Sequence, residues 1–347
     1  MDADATLRVF RVPPEAAGMR VDVFVQSQLR NTSRTRARAI VENSAYSPEG
    51  RRLKASERVK GEDRVVLWRP PFDEPDALGP IDILYEDEHL LVVDKPPLVA
   101  VHPTARHHHA TVIKRLEVQR PGEFLSLVHR IDRETSGLLL VGRSREADRA
   151  FKRLLEDRSV AVSQDMARER SGATTPRRSA VPAVDKIYLA ITWGVPSVDV
   201  IELPLELDPE NSLRVKMRVA EPGQGLDART GVHVRETRAG YALVECRLFT
   251  GRQHQIRLHL AATGTPIVGD KLYGPDERLL ARAADGELTD EDRERLELPR
   301  HALHAHRYRL AHAMTGQPLD LVSPLAADLA EFWDELCARD GDRAAPT

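Results

Sequence analysis

The residues most suited to chemistry lie in the run His129-Arg130-Ile131-Asp132-Arg133-Glu134-Thr135-Ser136-Gly137, between the apolar Leu125 and Leu127 and the apolar Leu138 to Val141. A carboxylate flanked by two arginines and enclosed by buried strands stays ionised, because nearby cations lower its pKa. An ionised, partly desolvated Asp132 is a competent nucleophile or base. Standing alone, the segment also reads as a structural ion pair in a strand connection. A second dense polar run is Thr250-Gly251-Arg252-Gln253-His254-Gln255-Ile256-Arg257. Gly251 permits a tight turn there, and the helix behind it favours an anion at its N-terminus. Gln253 and Arg257, four apart, share one face of that helix and place the guanidinium within reach of a carboxylate or phosphate. A well-capped surface helix is the plainer alternative. A third is Lys186-Ile187-Tyr188-Leu189-Ala190, where Tyr188 lies opposite a strongly apolar face and offers a ring for stacking on a base. An ordinary sheet tyrosine is the plainer alternative.

Other chemistries are set aside. His107-His108-His109 sits in a loop with no Cys and no helical i, i+4 histidine pair, so it reads as solvated rather than metal-binding. No Walker loop, GxGxxG, GxSxG or HExxH occurs, so no metal or nucleotide cofactor is expected. The chain has 347 residues, 41% hydrophobic and 30% charged, with a net charge of -3. That is a globular composition, with room for two or three domains. The apolar runs are too short to cross a membrane, no signal peptide is read at MDADATLRVF, and Cys246 and Cys337 form no CxxC pair. A reducing cytoplasm is therefore expected.

The elements that must position these residues can be read in outline. Up to Arg69 the chain carries 14 Arg and Lys against 9 Asp and Glu; between Asp276 and Glu297 it carries four Arg against nine acids. A basic first module, residues 1–69, fits a polyanion partner. In it Val21, Phe24, Val25 and Leu29 have helical spacing, and Ser33 caps a second helix whose Arg34 and Arg38 share a face. A Pro-rich linker, residues 70–80, leads to the larger domain, residues 81–347. Strands are expected at 83–85 and 90–93, 186–193, 232–237 and 241–249, and on both sides of Thr315-Gly316-Gln317. Helices are expected from Ser144 and over 253–262. Residues 163–183 have no apolar period and read as a flexible insertion. Strands and helices mix without a βαβ rhythm, so the fold class is α+β with a mixed, largely antiparallel sheet.

Four of these segments, in this order, resemble the RluA-type RNA pseudouridine synthase family. The 129–137 run resembles its HRLDxxTSG signature. Lys95-Pro96-Pro97 with Val101-His102-Pro103 resembles KPxG…VHP, with Leu98 in place of the glycine. Lys186 to Ala190 resembles KxYxA. Gly251 to Arg257 with Gly269-Asp270 and Tyr273-Gly274 resembles GRxHQIR…GDxxYG. Leu303-His304-Ala305 and Ser323-Pro324-Leu325 match the closing segments. The first module is similar to an S4 RNA-binding domain, although the S4-like turn is replaced by residues 44–50.

The resemblance implies an isomerase that breaks the N1–C1′ bond of a uridine in RNA, turns the uracil, and joins C5 to C1′. The target base must leave its stack. Asp132 is then the essential carboxylate, Arg257 its ionic partner, and Tyr188 the ring beneath the base. Arg130 fills the space the base vacates, and His129, Arg252 and Gln253, with Arg34 and Arg38 of the first module, contact substrate. No cofactor is implied. The expected partner is RNA, chiefly large-subunit ribosomal RNA, acted on by a monomer. A transfer-RNA enzyme, or a non-catalytic RNA-binding protein on the same fold, are the alternatives.

Overall fold

The structure is a computed structural model that describes residues 6–29, 32, 34–69, 79–103, 110–171, 184–211, 215–221 and 223–343. The chain divides into two compact units, Met1–Pro75 and Asp76–Thr347. In the first, β1 (Thr6–Arg11), β2 (Ala45–Tyr46) and β3 (Arg64–Arg69) form an antiparallel sheet in the order β1-β3-β2. Helices α1 (Val21–Gln28) and α2 (Arg34–Ser44) pack with it around Phe24, Val25, Val41 and Leu67. The helical spacing of Val21, Phe24 and Val25 is thus the buried stripe of α1. Ser33, read as the cap of α2, lies outside the described residues.

The second unit contains β4 (Asp82–Glu86), β5 (Leu90–Lys95), α3 (Val112–Gln119), β6 (Ser126–Leu127), β7 (Ser136–Gly142) and α4 (Arg145–Ser171). Next come β8 (Asp185–Trp193), β9 (Val200–Glu202), β10 (Leu205–Leu207), β11 (Met217–Val219), β12 (Arg229–Arg238), β13 (Tyr241–Leu248) and α5 (Gln255–Ala262). Helices α6 (Leu279–Asp285) and α7 (Asp290–Leu296), strands β14 (Leu303–Ala311) and β15 (Pro318–Val322), and α8 (Ala327–Arg343) complete it. One large sheet runs β4-β5-β7-β14-β8-β13-β12-β9, with β15 on β14 and β6 on β7. Every pairing in it is antiparallel except β7 with β14. The fold is the expected α+β class, with a mixed and largely antiparallel sheet.

Strand β7 is buried at every residue and β8 at most, so both are sheet interior covered on two faces. Tyr188 therefore has no solvent-facing side; what it faces is a cavity. Ser144 caps α4 by accepting from the Ala147 N–H. That helix runs nine residues further than the sequence reading allowed. Residues 163–171 are helical, not a flexible insertion, because Val162 and Met166 continue the buried stripe of Ala147, Phe151 and Arg158. The polar face of this last stretch is also anchored. Glu169 pairs with Arg229, Arg170 lies 2.9 Å from Asp227, and the Ser163 hydroxyl accepts from Arg252 at 3.2 Å. The rest of the supposed insertion, and the histidine run at 107–109, lie outside the described residues.

Two backbone positions near β5 and β7 have positive φ: Gly137, at the start of β7, and Leu98, in the turn after β5. Gly137 has φ 100°, and a Cβ there would overlap the Ala305 carbonyl oxygen across the parallel β7–β14 junction. Leu98 sits at φ 65°, so the turn after Lys95 keeps its left-handed residue although the glycine is gone. Gly137→Ala is expected to destabilise the second unit by on the order of 3 kcal/mol, since overpacking and a left-handed penalty add. Urea unfolding of the variant beside the wild type checks this.

Candidate active site

Asp132 lies after β6 in the loop that enters β7, and its carboxylate opens on a cavity of about 320 Å³. Arg130, Tyr188, Arg252, Gln253, His254 and Arg257 also line that cavity. The Arg257 Nη1 donates to Asp132 Oδ2 at 2.8 Å. The same guanidinium makes a two-pronged pair with Asp270, Nε to Oδ2 at 2.6 Å and Nη2 to Oδ1 at 2.9 Å. Asp270 is fully buried and also accepts from the Leu272 and Tyr273 N–H groups. One arginine is thus fixed by one carboxylate and presented to another, a geometry that a planar fork permits and an ammonium does not.

This geometry sets the charge states. Burial pushes the Asp132 carboxyl up, but the Arg257 guanidinium outweighs it, with lesser help from His254 and His301, and holds the pKa at about 2. Burial opposes charge on Arg257, yet Asp270 first and Asp132 second raise its pKa above the ordinary value. His254 and His301 are pushed down to about 4, chiefly by burial. Both are uncharged at neutral pH, so Arg257 supplies the field on Asp132. The arginines adjacent in sequence do not touch the carboxylate. Arg130 is exposed at the cavity, and Arg133 lies 3.5 Å from Glu134. The charge state is the one expected; its cation is Arg257, as the family resemblance implies, and not the arginines that flank Asp132 in the sequence.

Asp132 keeps about a quarter of its side-chain surface accessible. Its Oδ1 accepts no hydrogen bond among the described residues, and His254 Nε2 lies 3.7 Å from it. An ionised oxygen facing a cavity with a free lone pair can attack carbon or take a proton. Tyr188 is 6% exposed, and its hydroxyl lies 2.7 Å from that of Tyr308. Lys186 also lines the cavity, and burial together with the repulsion of Arg158 pushes it down to about 8. The His129 Nε2 accepts from the Leu140 N–H at 3.3 Å, and burial lowers its pKa to about 3, so this ring is a neutral part of the wall.

The 250–257 segment is built differently from its reading. Helix α5 begins at Gln255, not Gln253, and the residue before it, His254, is left-handed at φ 56°. Gly251 is not among the residues with positive φ. Gln253 therefore lies off the helix, exposed, and donates to the Val215 carbonyl at 3.2 Å instead of sharing a face with Arg257. Arg252 donates to the Asp227 carbonyl and the Ser163 hydroxyl. In the first unit, Arg34 lies 4.0 Å from Asp22, and Arg38 pairs with Glu42 at 2.8 Å. Both side chains are well exposed.

What sequence reasoning missed is the frame behind the loop. Lys95 is fully buried and donates to three carbonyls, those of Pro96, Val99 and Arg133, at 2.7, 2.9 and 3.0 Å. Glu134 accepts from Lys271 at 2.9 Å, Thr135 meets His301 at 2.8 Å and Ser136 meets His304 at 3.0 Å. Arg300 donates to the Glu134 carbonyl at 3.0 Å while gripping Asp328. The signal was present, since Lys95, Asp270 and His304 stood in recognised motifs. Their role as scaffolding was not legible without the contacts.

Comparison with known proteins decides the family. The RNA pseudouridylate synthase family model matches residues 89–163 and 166–262, which takes in Asp132, Tyr188 and Arg257. The chain is 32% identical to the ribosomal large subunit pseudouridine synthase D of Xanthomonas campestris, over 99% of this chain and 96% of that one. The chain belongs to the RNA pseudouridylate synthase family. It is also 32% identical to the protein of the same name from Nitrosomonas europaea, over 92% of this chain and 85% of that one. An uncharacterised RNA pseudouridine synthase, YlyB of Bacillus subtilis, is 30% identical over 93% and 95%. Among solved structures, human RNA pseudouridylate synthase domain containing 1 superposes with a TM-score of 0.51 at 24% identity, covering 79% of this chain and 98% of that one. That likeness extends to the fold.

The buried histidines make the synthase unit sensitive to acid. His129 is held at about 3 and His254, His259, His301 and His304 at about 4, each chiefly by burial. Between about pH 6.5 and 4 the unfolded chain binds more protons than the folded one, so stability falls as pH drops through that window. The depressed Asp132 adds stability that is complete above about pH 4 and is lost only toward pH 2. Urea midpoints at pH 7 and pH 5 are expected to differ clearly. His259→Gln, away from the cavity, is expected to shrink the difference.

Proposed function

We propose that this chain isomerises uridine to pseudouridine in large-subunit ribosomal RNA, with Asp132 as the essential carboxylate. The observation that carries the chemistry is the Asp270–Arg257–Asp132 chain, which delivers an ionised oxygen with a free lone pair to a cavity. The choice of RNA rests on the relatives named for the large ribosomal subunit, which align with nearly the whole chain. A transfer-RNA target is the alternative that mapping decides. The work is that of a cytoplasmic enzyme, and no helix of the described residues is long and apolar enough to cross a membrane.

In this reading the target nucleotide turns out of its stack into the cavity. Tyr188 lies along the uracil, and the exposed Arg130 enters the space left behind. The N1–C1′ bond breaks, the uracil turns, C5 bonds to C1′, the C5 proton leaves and N1 gains one, so the composition of the nucleotide is unchanged. Asp132 serves either by attacking C1′ or by assisting proton removal; its Oδ1 has the charge and the free lone pair for both. Arg257 keeps it ionised throughout. Arg252, Gln253 and His129 shape the site around the nucleotide, and no cofactor takes part. The first unit, with Arg34 and Arg38 on one exposed helix face, acts as an S4-like RNA-binding domain joined through residues 70–80.

Asp132→Asn is expected to abolish pseudouridine formation while RNA affinity stays within roughly tenfold, because affinity comes mainly from phosphate contacts. Arg257→Lys is expected to lose most activity, since one ammonium cannot hold two carboxylates in the directions the fork does. Pseudouridine mapping of ribosomal and transfer RNA from cells with and without the gene identifies the target. Product made by pure Asp132→Asn protein would overturn the assignment.

The joint change of Arg34 and Arg38 to Ala is expected to weaken RNA binding and flatten its dependence on salt. Each lost phosphate contact lowers the log–log slope by about 0.9. Binding titrations from low to moderate salt check this, and an unchanged slope means that these two arginines touch no phosphate.

A further inference from the structure

The wall behind Tyr188 contains a second phenol to which the isomerisation assigns no part. Tyr308 lies on β14, beside β8, and only 1% of it is exposed. Its hydroxyl is 2.7 Å from the Tyr188 hydroxyl, with the rings 6.1 Å apart at 53°. Tyr188 lines the cavity and Tyr308 does not. Around the Tyr308 ring stand the His129 ring, centroid to centroid at 5.6 Å, and the Lys186 Nζ, 5.7 Å above the ring centre. Neither is a hydrogen-bond partner of the Tyr308 hydroxyl. Among the described residues, Tyr188 is the only one.

That single contact fixes which phenol donates. A hydroxyl has one proton to give, and a buried donor left without an acceptor costs about 1–3 kcal/mol. If Tyr188 donated to Tyr308, the Tyr308 proton would have no acceptor. If Tyr308 donates to Tyr188, both groups are served, because the Tyr188 proton can then turn to whatever fills the cavity. Donation into the Tyr188 oxygen also favours negative charge on it, opposing the burial that pushes Tyr188 up to about 12.

We infer that Tyr308 is a positioning residue for the isomerisation: its O–H donates to the Tyr188 oxygen, turns the Tyr188 proton toward the flipped uracil, and steadies the oxygen when that proton is shared with the base. This rests on the reading of Tyr188 as the residue that meets the uracil. It is separable from that reading, because Tyr308 reaches the substrate only through Tyr188.

The test is single-turnover conversion of a target RNA fragment, identified by pseudouridine mapping, with enzyme in excess and affinity measured separately. Tyr308→Phe keeps the ring and its packing and removes only the donor. The rate constant is expected to fall about tenfold, the worth of one oriented hydrogen bond, while the RNA Kd stays within twofold. Placing 3-fluorotyrosine at 308, which keeps ring and O–H, is expected to retain most of the wild-type rate. A Tyr308→Phe rate within twofold of wild type overturns the inference, as does a rate loss matched by an equal loss of affinity. Loss of activity with 3-fluorotyrosine also overturns it, because the ring's packing would then be the cause. Tyr188→Phe is the control. If that variant is as fast as wild type, the Tyr188 hydroxyl has no part and this inference fails, while the ring's place along the uracil stands; if it is slow while Tyr308→Phe is fast, only this inference fails.

Discussion

Everything at the candidate site depends on a buried arginine shared by two carboxylates. A lone guanidinium in the interior is costly, and a buried ion pair repays its desolvation only with near-ideal geometry. Arg257 meets that condition with Asp270, which receives two prongs of the fork and two backbone N–H groups. The third prong is then left for Asp132. Because Asp270 already holds the cation, Asp132 need not be fully buried for the pair to form, and its partial exposure spares it desolvation. It can sit at the cavity, reachable by substrate, with the pKa of a carboxylate in an ion pair.

The loop that carries Asp132 is held by groups drawn from most of the synthase unit. Lys95 from the end of β5, Lys271 beyond α5, and Arg300, His301 and His304 around the start of β14 all bond to residues 133–136. Gly137 lets β7 leave this loop directly against β14 without a side chain in the way. The loop has little freedom, which suits a site where a misplaced carboxylate is far less effective than a positioned one.

Much of this was legible in the sequence. The run from Leu138 to Val141 announced a buried strand, the spacing of Val21, Phe24 and Val25 announced α1, and alternation over 186–193 announced β8. The four polar motifs identified Asp132, Tyr188 and Arg257 as members of one cavity. The length of α4 was misread because Val162 and Met166 are sparse apolar residues among Ser, Asp, Arg and Glu, and ion pairs with Arg229 and Asp227 are long-range facts. The start of α5 was misread because a left-handed His254 leaves no mark in residue type. The arginines flanking Asp132 pointed to the wrong cation, whereas the family motif pointed to Arg257, because proximity in sequence says little about proximity across a loop. Tyr308 drew no notice at all: one tyrosine on an alternating strand looks like any other until its hydroxyl is seen against Tyr188.

The parallel junction of β7 with β14 also bears on how the molecule comes into being. Thr135 and Ser136 are joined to histidines 166 and 168 residues further along, and β8, with Tyr188, is hydrogen-bonded between β14 and β13. Contacts of such sequence separation form late, after the loop-closure entropy has been overcome. A growing chain that has passed Arg257 but not yet Ala311 holds Asp132, Tyr188 and Arg257 without the strand that aligns them. Alignment of the candidate site therefore waits for β14, and a chain cut short before that strand lacks the partner of both β7 and β8.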